Sequence, residues 1–209
     1  MIVRALAIRR DESAMAFVAE AMTSLNDDVR LAAVSSYARQ QGAAAYDELL
    51  RVLQAGRAQE VAEATAQLLS YASSGELLLR LRADLPTLPS ISQASVLQMF
   101  ASRGDVEAKE TLYSKANEAD SVVRFAALQS LTALVDSTDV TRLLDLLSAA
   151  GDEFEFQSLQ EALVAAANSA RAIDAKPILA AFGEQSGEKK VHLLHVLAQL
   201  NSKEALVQV

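Results

Sequence analysis

The chain has 209 residues; 51% are hydrophobic but only 5% aromatic and none is tryptophan, so a core must be built from Ala, Leu and Val. Such residues favour helices over sheets, and seven Gly with three Pro leave too little for the turns of a β-protein. A net charge of −8 argues against a non-specific phosphate-backbone binder. The absence of Cys excludes a disulfide framework, a thiolate metal site and a Cys nucleophile, and no apolar run approaches the roughly 20 residues of a membrane span.

Taken in order, the N-terminus MIVRALAIRRDE has an apolar start broken by Arg4 and is no secretory signal. Ile2–Arg10 is expected to form the second helix of a pair whose first lies upstream. Asp11 or Ser13 is expected to cap Ala14–Ser24. Asn26-Asp27-Asp28 opens Val29–Gln40, which Gly42 closes in the position that glycine favours just past a helix end. Ala44–Gln54 ends near Gly56 and Gln59–Tyr71 follows. Ser73 with Glu76 reads as a capping box before Leu77–Asp84, which Pro86 and Pro89 end.

Ser90 with Gln93 reads as a second capping box, opening Ile91–Ser102. Gly104-Asp105 punctuates before Glu107–Ala116. Asp120 is then expected to cap the best-marked helix, reaching Leu134, with Val123, Ala127 and Leu131 on one stripe. Ser137 or Thr138 is expected to cap Val140–Ala149, and Gly151-Asp152 to start Glu153–Asn168. Pro177 suits the first turn of Ile178–Phe182. Gly183 and Gly187 are read as bracketing a turn before Glu188–Leu200, and Asn201 with Glu204 as beginning a last helix. All seven glycines fall at junctions in this reading.

A register emerges from the second helix of each pair. Starting at Val3, Val29, Val61, Ile91, Val123 and Phe154, the fourth residue onward is Ala7, Ala33, Thr65, Ser95, Ala127 and Ser158, small each time. Intervals near 30 residues fit one helix pair per repeat; the alternative is an irregular helical bundle. The core Val-Arg-x-x-Ala stands at Val3-Arg4, Val29-Arg30 and Val123-Arg124.

Asp27-x-Val29-Arg30-x-x-Ala33 and Asp120-x-x-Val123-Arg124-x-x-Ala127-x-x-x-Leu131 resemble the HEAT-repeat family in its short bacterial form. The resemblance implies a right-handed all-α solenoid of antiparallel helix pairs, about six to seven repeats forming one domain over residues 1–209. It also implies a ladder of contacts between stacked repeats, supplied here by Asp27, Arg30, Asp120 and Arg124. The repeats at Val61, Ile91 and Phe154 lack the Arg, so the ladder is expected to be interrupted. The degenerate motifs specify a fold and leave function open.

Chemistry is sparse. Glu188, His192 and His195 share a helix stripe, but the two His are three residues apart with no general base between them, and nothing distant supplies further ligands. They are read as a solvated face, and no metal, cofactor or catalytic residue is assigned. Asp136–Ala170 holds seven carboxylates against Arg142 alone, either a patch for a basic partner or a set of helix-start acids; the second reading is preferred. Arg80, Arg82 and Arg103 are read as scattered surface charges.

The sharper candidate is a ridge on the second helices, away from the packing stripe: Leu97, Phe100, Phe125, Gln129, Phe156 and Gln160. An apolar ridge on an exposed inner face marks a partner site; the alternative places its Phe residues between neighbouring second helices. The chain is therefore expected to be a non-enzymatic protein-interaction or scaffold module that binds a protein on its concave face. The rivals are an accessory segment of a larger enzyme and, less favoured, a HEAT-like lyase or DNA glycosylase; the latter needs a basic face and aromatic clamps. Neither nucleic acid nor membrane insertion is expected. A soluble bacterial location, cytoplasmic or periplasmic, is expected, with any targeting signal upstream. Val3, Ala7 and Ile8 at one end, and Leu206 and Val209 in Ser202–Val209 at the other, look uncapped. The chain is accordingly expected to be a piece of a longer repeat protein whose bare ends self-associate weakly.

Overall fold

Asn26 caps the helix that starts at Asp27: its side chain accepts from Val29 N at 3.1 Å, satisfying one of the unpaired donors of a helix start. In the computed structural model, residues 12–71, 75–170 and 173–200 are described, and among them the regular structure is entirely helical. The expected helices at Ile2–Arg10 and Ser202–Val209, the caps Asp11 and Ser13, the Ser73 box and the Asn201 start lie outside the residues or side chains so described. No described helix is long and apolar enough to cross a membrane. The chain divides into two units, Met1–Met99 and Phe100–Val209.

The first unit contains α1 (Glu12–Ala21), α2 (Asp27–Gln41), α3 (Tyr46–Ala55), α4 (Ala58–Tyr71), α5 (Gly75–Asp84) and most of α6 (Ser90–Arg103). Helix α1 packs on α2, α3 on α4, and α2 on α4. Val18, Ala21 and Ala33 form a buried cluster flanked by Met22, Val29 and Tyr37. Gly56 closes α3 at φ 67°, where other residues are strained. A Cβ there would also meet Pro89 at 3.2 Å, so the α3–α4 turn lies tight against the start of α6. Ser92 Oγ donates to Leu53 O at 2.6 Å and Ser95 Oγ to Thr65 Oγ1 at 3.0 Å, satisfying small polar groups within that packing.

The second unit contains α7 (Lys109–Lys115), α8 (Ser121–Leu131), α9 (Val140–Ala149), α10 (Glu153–Asn168), α11 (Lys176–Glu184) and α12 (Gly187–Gln199). Helix α7 packs on α8, α9 on α10, and α11 on α12; α10 also touches both α8 and α12, and α9 touches α11. Asp120 accepts from Val122 N and Val123 N, as its cap role requires, and Asp152 accepts from Glu155 N at 3.0 Å. Pro177 sits in the first turn of α11.

Several local expectations are corrected. Asp136, rather than Ser137 or Thr138, makes the cap before α9: it accepts from Thr138 N, while Asp139 accepts from Asp136 N, a reciprocal capping box across a 3-10 turn. Gln93 does not complete a box with Ser90, because its Nε2 donates to Leu88 O and its Oε1 is buried without a partner. Gly183 is not at a junction but inside the last turn of α11. The Asp120 helix ends at Leu131, short of Leu134.

The register is corrected too. Judged by the carbonyl that accepts the first intrahelical bond, the second helices start at Asn26, Arg57, Pro89, Asp120 and Asp152. Seven residues on from each stand Ala33, Ala64, Val96, Ala127 and Leu159, none more than 1% exposed. The starts at Val61, Ile91 and Phe154 are therefore each out by one residue. Ile91 and Phe154 are exposed, and the packing position is not uniformly small, since Val96 and Leu159 occupy it. One residue turns a helix by about 100°, enough to swap an inward for a sideways position.

Candidate interaction site

Two ion pairs join successive second helices. Arg30, on α2, donates from Nε to Glu60 Oε1 on α4 at 2.7 Å, from one terminal nitrogen to Asp27 Oδ1 at 2.5 Å, and from the other to Ser24 O at 2.6 Å. The Glu60 carboxylate, opposed by burial and helped by Asp27, holds the guanidinium above its usual value. Arg124, on α8, donates from Nε to Glu155 Oε1 on α10 at 2.6 Å and from Nη1 to the Glu118 and Ala119 carbonyls. Glu155 Oε2 accepts from Gly151 N at 2.8 Å. Asp120 Oδ1 caps α8, accepting from Val122 N and Val123 N.

Arg30 thus reaches from α2 to a glutamate of α4, and Arg124 from α8 to a glutamate of α10. The motif pointed to Asp27, Arg30, Asp120 and Arg124 but not to Glu60 or Glu155, because those repeats were aligned one residue off. With the start corrected, an Arg four residues into one second helix faces a Glu three residues into the next. Clefts of about 280 and 400 Å³ open beside the two pairs; the larger is lined by Arg124, Glu155, Leu128, Leu146 and Leu159.

The first helices carry a second bridge that the sequence reading missed. Arg80 of α5 stacks 4.2 Å above the Tyr46 ring of α3 and bonds Asp47 at 2.7 Å. Arg142 of α9 stacks 3.7 Å above the Tyr113 ring of α7 and bonds Glu110 at 2.6 Å. Burial and then the Asp84 carboxylate, 2.6 Å from the hydroxyl, push the Tyr46 phenol well up; burial and then Asp139 do the same to Tyr113. Arg80 is accordingly an inter-helix bridge and not a scattered charge.

The ridge is dispersed. Leu97 and Phe100 are fully buried and Phe156 is 4% exposed, so none of the three belongs to an open face. Phe125 and Gln160 are half-buried and Gln129 is exposed. In place of the buried members stands Phe154, 67% exposed at the start of α10, whose ring meets Phe125 edge-on at 5.7 Å. Val122, 52% exposed, lies one turn before Phe125 on α8. Val122, Phe125 and Phe154 form the apolar part of the open face of α8 and α10, beside Gln129, Gln157 and Glu161, which are also exposed.

His192 does not sit on a solvated face. It is 8% exposed between α10 and α12, with Nδ1 2.7 Å from Gln160 Oε1, Nε2 3.5 Å from Glu153 and its ring 5.5 Å from that of Phe156. Glu188 and His195 are exposed, as expected. Among the described residues no group of three or more His, Cys, Asp or Glu could hold a metal ion. The acidic stretch 136–170 divides by role. Asp136 and Asp139 pair with Lys109, Asp152 caps α10 and Glu155 meets Arg124. Asp145, Glu153 and Glu161 are exposed.

The chain matches no family model, no curated protein and no solved structure.

Proposed function

We propose that the chain is a right-handed α-solenoid of HEAT-like helix pairs that acts as a non-enzymatic protein-interaction module, docking a protein on the face formed by α8 and α10. Within each unit, first helix packs on second and second on second, and each unit repeats an Arg–Glu and an Arg–Tyr bridge. That recurrence supports stacked repeats, because each unit of such an array buries its apolar face only against neighbours.

The observation that carries the interaction reading is Phe154. A fold that buries Phe100 and Phe156 leaves this ring two-thirds exposed against a half-buried Phe125. Exposed aromatics grouped with other apolar side chains mark interaction surfaces. A photo-crosslinking amino acid placed at Phe154 tests the reading, with Leu79, an exposed apolar residue of the first unit, as control. Capture of one discrete protein from position 154 and not from 79 is expected. Equal labelling at both positions would contradict a dedicated face.

A further inference from the structure

The charges around the aromatic pair specify what covers it. Helix α10 contains no Lys or Arg, and α8 contains only Arg124, which is held by Glu155 and two backbone carbonyls. Of the two lysines of α12, Lys190 lies over the Phe182 ring of α11, and Lys189 donates to the Ser148 carbonyl at the end of α9 with its Nζ 5.9 Å from the centre of the buried Phe156 ring. Glu153 and Glu161, by contrast, are exposed on α10, and Glu188 on α12. Glu153 is next to Phe154, and Glu161 lies eight residues further on, about 12 Å along the helix. The face is therefore apolar at Val122, Phe125 and Phe154, acidic at its α10 and α12 edges, and without a free cation of its own helices.

Resting on the reading of this face as a docking surface, we infer that its partner is a basic segment with an apolar anchor, one that seats a Phe- or Leu-like side chain against Phe125 and Phe154 and sets Lys or Arg beside Glu153 and Glu161. The apolar anchor supplies most of the affinity, since rim charges chiefly steer association and fix orientation. An acidic partner would meet the exposed Glu153 and Glu161 carboxylates on the edge of the aromatic patch, which disfavours it.

Three fluorescein-labelled hexapeptides test this by anisotropy at about 0.02 and about 0.15 M salt: Phe-Leu between two Lys pairs, the same anchor between two Glu pairs, and Ser-Ser between two Lys pairs. The first is expected to bind saturably, at least about tenfold tighter than the other two, and more weakly at the higher salt. Phe154→Ser, or Phe154→Ala as a second variant, should abolish that binding, and Glu153→Lys with Glu161→Lys should weaken it by about tenfold or more, with circular dichroism unchanged. Equal or tighter binding of the Glu peptide, still lost on Phe154→Ser, would overturn the basic partner while leaving the docking face in place. Failure of every peptide to bind in a Phe154-dependent way would overturn both. Concentration-dependent dimerisation of the wild type that Phe154→Ser removes would show that a second copy covers the face, and would also overturn the inference.

Discussion

Arg124 Nε donates to Glu155 Oε1 across 2.6 Å, joining α8 to α10. Its counterpart in the first unit, Arg30 with Glu60, has the same connectivity and a similar distance. Both glutamates are buried, and their sites are completed by further donors, Gly151 N for Glu155 and Arg57 for Glu60. Removing one partner leaves a desolvated charge, so each pair matters more to the packing of its two helices than an exposed pair would.

A double-mutant cycle with Arg124→Gln and Glu155→Gln should reveal that coupling. An interaction energy of about 1–2 kcal/mol is expected, within the range of contacting pairs, read from urea denaturation. Additive single-variant losses would mean that Arg124 serves only the Glu118 and Ala119 carbonyls.

Ala127 is fully buried where α8 packs, whereas Gln129 is exposed. Ala127→Phe should overpack the unit and cost about 1–3 kcal/mol. Gln129→Phe should stay within about 0.5 kcal/mol, as surface changes do. Thermal melts separate the two, and equal melting temperatures would contradict the corrected register.

How far the sequence was legible differs by level. Helices with a strong cap and a clean stripe, such as Asp120–Ala127, were readable because local hydrogen bonding and periodicity point the same way. The register of α4, α6 and α10 was not. Val61, Ile91 and Phe154 each sit one residue from the equivalent of Val123, and the residues at that equivalent position are Glu60, Ser92 and Glu155. A polar residue at a core-like position hides the stripe unless its partner is known, and the Glu partners are Arg residues some 30 positions away. The same shift brought buried Phe156 into the ridge and left exposed Phe154 in the core. Asp136 was overlooked as a cap because two hydroxyl residues follow it; its carboxylate wins through Asp139 and Lys109, a three-dimensional contact.

Lys109 gives a pH signature. Its ammonium lies 2.8 Å from Asp136 and 2.7 Å from Asp139. Burial lowers its pKa, but the two carboxylates outweigh burial and leave it raised. Lys109, then Thr138, hold Asp136 far below the usual carboxylate range. A depressed Asp contributes stability that is present above its unfolded value near 4 and lost as pH falls below it. A raised Lys contributes stability present below its unfolded value near 10.4 and lost as pH rises through the folded value. The advantage of the wild type over Asp136→Asn should therefore be full at neutral pH and shrink below about pH 4; it should be modest, since Asp136 is half exposed. A constant advantage down to strongly acid pH would contradict the pairing.

Gln160 and His192 form a partly buried polar contact between α10 and α12, one that an Nδ1–H can make with the amide oxygen. Gln160→Ala should leave that ring nitrogen unsatisfied and cost about 1–3 kcal/mol, with faster amide exchange in α12. A neutral substitution would mean that water reaches His192.

Phe154 and Phe156 are two residues apart on α10, one 67% and the other 4% exposed. The most direct measurement is to change each to Ser, and to record both the melting curve and binding of the Phe-Leu peptide with Lys pairs. Phe154→Ser should melt as the wild type does and lose the peptide. Phe156→Ser should lose about 3–5 kcal/mol of stability, as truncated core aromatics do. If Phe154→Ser destabilises the protein as much as Phe156→Ser, or melts normally and keeps the peptide, then α10 does not present the interaction face.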